Sequence, residues 1–121
     1  PQLVSLEDAG RGINMFKKLE VPILGVVENM SYLELPDGSK MDLFGSGGGE
    51  HLSKLTETAF LGGVPIDQQV RIGGDTGKPI VATNPESNVA KALNEIAEKI
   101  AQKVSVAAFG GSKSVPINIV E

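Results

Sequence analysis

The stretch VPILGVVEN, Val21 to Asn29, decides the fold class of this chain. Its first seven residues form a continuous apolar run, and the polar pair Glu28 and Asn29 ends it. A strand buried on both faces has this pattern, as in parallel sheets that helices cover on both sides. The run therefore predicts a central strand of a layered α/β sheet.

Helical and strand patterns flank this run. Ser5 and Asp8 have the spacing of a capping box, and apolar residues then recur at helical intervals, which predicts a helix from about Ser5 to Leu19. A short helix is predicted at about Glu50 to Thr58. The segment from Phe60 to Pro65 is predicted to be a second buried strand that runs into a loop.

The later part of the chain contains one long amphipathic segment. Asp67 is predicted to cap a brief helix through Arg71, and GGDTGKP, residues 73–79, to form a surface loop. Asn84 followed by Pro85 predicts an N-cap and a first helical position. The last helix is predicted to follow, because apolar residues recur there at helical spacing and form one face. These residues are Val89, Leu93, Ile96, Ile100 and Val104.

The alternation of helices and strands indicates an α/β fold with a partial, mostly parallel sheet flanked by helices. Two buried strands are fewer than the roughly five or six of an average sheet. We therefore expect part of the sheet to lie outside this chain, which opens on Pro1 rather than methionine. Residues 1–104 form the predicted domain portion, and residues 105–121 form a tail that is either disordered or a stray strand.

The stretch FGSGGGEHLSK, Phe44 to Lys54, resembles a phosphate-binding loop but fails its test. A P-loop needs Gly-Lys-Ser/Thr at its end, where the lysine reaches the outer phosphates and the hydroxyl holds magnesium. Here Glu50 follows the last glycine, and a carboxylate repels phosphate. We interpret the stretch as a flexible entry into a helix.

A turn signal, Pro36-Asp37-Gly38, lies between two short segments that can pair as a hairpin. Four carboxylates surround it: Glu28, Glu34, Asp37 and Asp42. Paired carboxylates can perform acid–base catalysis or bind magnesium, but without a supporting histidine or lysine arrangement they are interpreted as a solvated hairpin.

Composition excludes several classes of function. The net charge of −4 offers no basic field for nucleic acid, and the longest apolar runs are far too short to span a membrane. The chain has no cysteine and one histidine, so it has no thiolate zinc site and no histidine cluster. These features fit a cytoplasmic protein.

Several of these segments, in order, resemble one family. SLEDAGRGINMFKKLEVPILGVVENMSYL, LFGSGGGEHL, FLGGVPID, GGDTGKPIV and the closing NPES helix are similar to the carboxy-terminal half of the Mrp-type ATPases. These are ParA/MinD-like P-loop proteins that bind and deliver iron–sulfur clusters. The resemblance covers residues from Pro1 to about Val104.

The resemblance implies a mostly parallel sheet, binding of ATP with Mg in the full-length protein, a homodimer across the nucleotide sites and iron–sulfur client proteins. The family's P-loop and magnesium ligands lie upstream of the match, so the chain is expected to be inactive alone. On the base-binding side, the family's motifs match Asn29, which is expected to contact the adenine edge, and Pro65, Ile66 and Asp67, which are expected to cover the base.

The sequence departs from the family's pattern at the positions that bind the iron–sulfur cluster. Many members carry a Cys-Pro-x-Cys pair after the NMSY segment, through which two chains share a cluster. The matching positions here are Leu35 and Gly38, and neither residue can bind iron. A bridging cluster of that kind is therefore not expected. The alternative to an ATP-binding role is a non-catalytic protein-interaction or dimerisation module that uses the hairpin around Leu35.

Overall fold

A computed structural model describes residues 3–110 of the chain. The helices are α1 (Leu3–Lys18), α2 (Gly48–Leu55), α3 (Gln68–Thr76), α4 (Ile80–Thr83) and α5 (Asn88–Gly110). The strands are β1 (Val26–Glu28), β2 (Leu33–Glu34), β3 (Lys40–Met41) and β4 (Phe60–Gly63). The observed class is the predicted one, an α/β fold with a small parallel sheet flanked by helices.

Strands β1 and β4 form the parallel pair. Val26 lies opposite Phe60, and an irregularity after Val26 shifts the register so that Val27 lies opposite Gly62. All three residues of β1 are buried. The predicted central strand is therefore confirmed as a strand covered on both faces.

The two faces of the sheet pack against different helices. Val26 joins Ile13 of α1 and Leu52 of α2 in one core cluster. Val27 joins the other cluster, in which the remaining buried members are Leu61, Val64, Ile80, Val89 and Ile96. Because successive side chains of a strand point to opposite faces, one dipeptide supplies both cores. Burial of each valine contributes roughly 1.5–3 kcal/mol relative to exposure.

Strand β1 is shorter than the apolar run that predicted it. Pro22 within residues 21–25 has no backbone N–H to donate to a neighbouring strand, and β4, the parallel partner, begins only at Phe60. The pairing is nevertheless close, since the Val26 N–H donates to the Ala59 carbonyl over 2.8 Å. A Cβ on Gly25 would lie 2.6 Å from the Leu61 side chain.

The predicted hairpin is present as β2 and β3. Leu33 pairs with Met41 and Glu34 with Lys40. The turn is closed by the Gly38 N–H, which donates to the Leu35 carbonyl over 2.9 Å. The Lys40 ammonium lies 4.4 Å from the centroid of the Tyr32 ring, a cation–π contact across the two arms.

Helix α3 is longer than predicted. Asp67 caps it as expected, but the helix continues past Arg71 to Thr76 and absorbs the first half of the supposed GGDTGKP loop. Gly77, with φ of 69°, ends it in the left-handed conformation that glycine adopts without strain. The interpretation of residues 73–76 as a surface loop was therefore wrong.

Helix α5 starts later than the Asn84-Pro85 pair predicted. Asn84 is instead the C-cap of α4, where its N–H donates to the Ile80 carbonyl over 2.8 Å. Ser87 caps α5, since its Oγ accepts from the Ala90 N–H at 3.2 Å. The helix continues to Gly110, so residues 105–110 of the supposed tail are helical. The rest of that tail lies outside the described residues.

None of the helices within residues 3–110 is both long and apolar enough to cross a membrane.

Candidate nucleotide-base site

The carboxylate of Glu28 is the best-anchored polar group at the carboxyl end of β1. The residue is only 7% exposed. Its Oε1 accepts a hydrogen bond of 3.0 Å from the Gly49 N–H in the first turn of α2. Its Oε2 accepts one of 2.5 Å from the Ser31 hydroxyl. A negative charge is favourable at a helix N-terminus, where backbone N–H groups lack partners.

Two glycines of the FGSGGGE stretch allow this contact. A Cβ on Gly49 would lie 2.9 Å from the Glu28 Cβ and 3.1 Å from the Phe60 ring. A Cβ on Gly48 would lie 2.7 Å from a methyl group of Leu6. All three distances are shorter than ordinary carbon–carbon contacts. The glycines therefore bring the start of α2 against β1 and α1.

The glycine-rich stretch thus holds a carboxylate of the chain itself. The Gly49 N–H, which a phosphate oxygen would need, is already donated to Glu28. Glu50 adds a second negative charge to the same first turn. The chemistry of this helix start does not fit a phosphate group, in agreement with the failed P-loop test.

A short turn after β1 contains Asn29. Asn29 is half-buried, and Met30, which follows it, has a positive φ of 51°. Non-glycine residues seldom adopt this conformation. The turn therefore has a backbone geometry that its surroundings must hold in place. Within residues 3–110, the side-chain hydrogen bonds at this end of β1 are made by Glu28 and Ser31 and not by Asn29.

Backbone hydrogen bonds join this turn to the loop after β4. The Val64 N–H donates to the Glu28 carbonyl over 2.8 Å, and the Ser31 N–H donates to the Val64 carbonyl over 2.9 Å. The Ile66 N–H donates to the Tyr32 carbonyl over 2.7 Å. The turn that contains Asn29 therefore lies beside the segment from Pro65 to Asp67. Asn29 and Pro65 are 36 positions apart in the sequence.

The Asp67 side chain has a structural partner. Its Oδ1 accepts from the Gln69 N–H over 2.8 Å and so caps α3. Of the other two predicted base-covering residues, Pro65 is buried and Ile66 is half-buried. Asp67 fixes the start of the helix that follows.

A cleft of about 440 Å³ opens beside this loop. We call it the hairpin cleft; its lining comprises Glu34, Leu35, Pro36, Gly38, Pro65, Ile66, Asp67, Asn88 and Val89. The predicted base-covering residues, Pro65 to Asp67, line one part of the cleft, and the two cysteine-pair positions, Leu35 and Gly38, line another. Asn29 lies outside this lining. A volume of this size is within the usual range for small-molecule sites.

The hairpin wall of the cleft carries no metal ligands at the cysteine-pair positions. Leu35 is half-buried and Gly38 is exposed, with φ of 85°. Between them, the Ser39 hydroxyl and backbone N–H both donate to Asp37, at 2.5 and 2.8 Å, and lower the pKa of its carboxyl group. No group of three or more metal-ligating side chains occurs in residues 3–110.

Two contributors to this region escaped prediction from sequence. Glu28 was grouped with the solvated carboxylates, although its position at the end of a buried run was a signal for burial. Asn88 donates from its Nδ2 to Glu34 Oε1 over 2.7 Å and so joins α5 to the hairpin. Nothing in the sequence pattern indicated that contact across 54 positions.

A family model matches residues 1–101 of the chain. Its description is ParA, the NUBPL iron-transfer P-loop NTPase. The match covers more than four-fifths of the sequence and includes every residue that lines the hairpin cleft.

Individual proteins of known function are also similar. An iron–sulfur cluster carrier protein of Synechocystis is 56% identical over 112 residues, which are 90% of this chain and 31% of the relative. The iron–sulfur cluster carrier protein of Pyrococcus furiosus is 50% identical over 105 residues, 86% of this chain and 35% of the relative. The iron–sulfur cluster transfer protein NUBPL of Dictyostelium discoideum is 46% identical over 107 residues, 88% of this chain and 33% of the relative. The chain thus spans about a third of the length of these curated relatives.

Proposed function

Because this chain belongs to the ParA family of NUBPL-type iron-transfer P-loop NTPases, we propose that it is the adenine-recognising, carboxy-terminal part of an Mrp-type iron–sulfur cluster carrier. In this proposal the full-length protein, meaning the longest natural polypeptide that contains this sequence, binds Mg-ATP in the cytoplasm, forms a homodimer and serves iron–sulfur client proteins. The P-loop is supplied by residues outside this chain.

One observation carries the proposal for the base. Backbone hydrogen bonds join the turn that contains Asn29 to the Val64 to Ile66 segment, and this supports a site in which an amide residue and an apolar loop serve the same ligand. An adenine ring needs both kinds of contact, because its faces are apolar and its edge carries donors and acceptors. The Asn29 amide can donate to and accept from that edge. Pro65 and Ile66 pack against a face, and the loop backbone covers it.

When bound, ATP with Mg supplies the transferable phosphate and its counter-charge. The residues of this chain hold the base end only, because Glu28 already takes the helix start that could otherwise receive an anion. The role of these base-binding residues is to orient the nucleotide. The chain alone is not expected to hydrolyse ATP.

The test is an affinity comparison in the full-length protein. Asn29→Ala removes one or two hydrogen bonds to the base and should weaken Mg-ATP binding by about 1–3 kcal/mol, which corresponds to roughly 5- to 150-fold in Kd. Titration calorimetry measures the change. The matched control is Asn94→Ala, an exposed asparagine on α5, which should leave Kd unchanged. Equal affinities for both variants would refute the role of Asn29.

A cluster bound by the hairpin is not part of the proposal. Leu35 and Gly38 offer no thiolate, and the chain has no cysteine elsewhere. Delivery of a cluster by the full-length protein therefore requires ligands from outside these residues. No step of cluster transfer is assigned to this chain.

An interaction module is the second candidate, and the surface of the hairpin region favours it. Met41, Leu43 and Phe44 are 43%, 50% and 39% exposed and lie close to one another in the chain. Apolar groups clustered in this way often mark a contact with another protein. Leu35→Glu should reduce the sedimenting mass of the full-length protein if the hairpin is the contact. Leu55→Glu, at a 69% exposed leucine of α2, is the control, and an unaltered mass for Leu35→Glu would argue against this role.

A further inference from the structure

The turn after β1 interrupts the regular pairing of this strand with the chain that follows β4. In a regular parallel ladder, one residue bonds to residues i and i+2 of the neighbouring strand. Here the Val64 N–H donates to the Glu28 carbonyl over 2.8 Å, and the Val64 carbonyl accepts from the Ser31 N–H over 2.9 Å. The segment between these two bonds therefore contains both Asn29 and Met30, one residue more than a regular ladder holds.

This extra residue makes the turn a bulge. Met30 has the positive φ of 51° within it, and such a conformation costs energy for a residue that carries a side chain. Bulges re-aim the side chains on them and are frequent beside functional sites. The direction of the Asn29 amide therefore depends on the contacts that hold the bulge in shape.

A side-chain hydrogen bond bridges the two ends of the bulge. The Ser31 hydroxyl donates to Glu28 Oε2 over 2.5 Å, so it links the residue before the bulge to the residue after it. Glu28 is itself held at Oε1 by the Gly49 N–H, over 3.0 Å. Hydrogen bonds to a carboxylate are stronger than those between neutral groups. The start of α2 and the Ser31 hydroxyl thus hold the same carboxylate.

Gly63 of β4 provides the space for the Ser31 side chain. A Cβ on Gly63 would lie 2.8 Å from Ser31 Oγ and 3.0 Å from Ser31 Cβ. Ser31 therefore packs directly on the backbone of β4. All of these contacts join buried or half-buried residues within the range 3–110, so they do not depend on how the rest of the full-length protein covers the surface.

We propose that Ser31 is a positioning residue for base recognition. Its hydroxyl, bonded to Glu28, holds the bulge in the shape that points the Asn29 amide at the adenine edge. The inference rests on the proposed role of Asn29 and extends it, because Ser31 itself does not contact the nucleotide. Its effect on ATP binding passes through Asn29.

A double-mutant cycle in the full-length protein tests this, because such a cycle measures whether two residues act through each other. Titration calorimetry gives the Kd of Mg-ATP for the unchanged protein, for Asn29→Ala, for Ser31→Ala and for the double variant. Ser31→Ala removes the hydroxyl and adds no atom, so the packing on Gly63 is kept.

The matched control is Ser53→Ala. Ser53 is a buried serine of α2, and its Oγ donates to the Glu50 carbonyl over 2.7 Å. This variant also deletes one hydrogen-bonded hydroxyl, but away from the bulge, so it should leave the Kd of Mg-ATP unchanged. A loss of affinity equal to that of Ser31→Ala would mean that any such deletion weakens binding, and it would overturn the proposal.

We predict that Ser31→Ala raises the Kd of Mg-ATP by roughly 3- to 30-fold. The double variant should bind no more weakly than Asn29→Ala alone, because a misdirected amide and a missing amide lose the same contact. Effects that multiply in the double variant would overturn the proposal, since Ser31 would then act independently of Asn29.

The same four proteins separate this inference from the role of Asn29. If Asn29→Ala weakens binding and Ser31→Ala does not, the positioning role of Ser31 is wrong and the base contact of Asn29 stands. If Asn29→Ala leaves the Kd unchanged, the base contact is wrong and the positioning role is overturned with it.

Discussion

At the scale of single residues, the buried carboxylate of Glu28 determines what the start of α2 can bind. Glu28 is one of four acidic residues near the hairpin in sequence, yet it alone is buried. Its two oxygens receive the Gly49 N–H and the Ser31 hydroxyl. Glu28 therefore does at the start of α2 what a bound anion does at other helix N-termini, and it also fixes the turn that contains Asn29.

This account predicts opposite effects for two glycine substitutions in helices. Gly49→Ala should destabilise the protein by about 1–3 kcal/mol, because its Cβ collides with Glu28 and Phe60 in a packed interior. Gly12→Ala, in α1, meets nothing within 4 Å and should stabilise by up to about 1 kcal/mol through helix propensity. Urea unfolding of the two variants of the full-length protein measures both.

A stabilising effect of Gly49→Ala, equal to that of Gly12→Ala, would contradict the close approach of α2 to β1. The comparison is internal, since both variants add one methyl group to a helical glycine.

At the scale of elements, side-chain caps decide where the helices begin. Ser87 Oγ accepts from the Ala90 N–H over 3.2 Å and donates to the Asn84 carbonyl over 2.8 Å. Asn84, which the sequence suggested as the cap, ends α4 instead. One serine thus both starts α5 and holds the turn that separates the two helices.

Ser87→Ala should therefore cost about 0.5–2 kcal/mol, the usual range for the loss of an N-cap. Asn84→Ala should change stability by less than about 0.5 kcal/mol, as surface substitutions usually do. Thermal or urea unfolding distinguishes them. A larger loss for Asn84→Ala than for Ser87→Ala would restore the sequence-based assignment of the cap.

The sequence predicts the elements better than it predicts their contacts. The apolar run before Glu28 and the stripe of α5 identified a buried strand and a long helix, because periodicity reports which faces are covered. The length of α3 was missed, because the glycines at 73 and 74 suggested a loop, whereas packing and the cap at Asp67 keep them helical. The hairpin cleft was not foreseen as one site, since it joins residues from β2 to α5 through tertiary contacts.

At the scale of the whole molecule, two helical layers enclose a two-stranded parallel sheet. Helices α1 and α2 share a core with Val26, and α4 and α5 share the other with Val27. The hairpin lies beyond the carboxyl ends of the strands, where ligands of open α/β sheets bind. This arrangement puts the residues proposed for the adenine base and the altered cysteine-pair positions at the same end.

The central claim is that the adenine base contacts the Asn29 turn and the Val64 to Asp67 loop. Photolabelling of the full-length protein with Mg-8-azido-ATP, whose reactive group is on the adenine ring, tests it most directly. We predict that peptide mapping finds the label on one of these two segments and that excess ATP abolishes it. ATP-sensitive labelling confined to any other part of the protein would contradict the account.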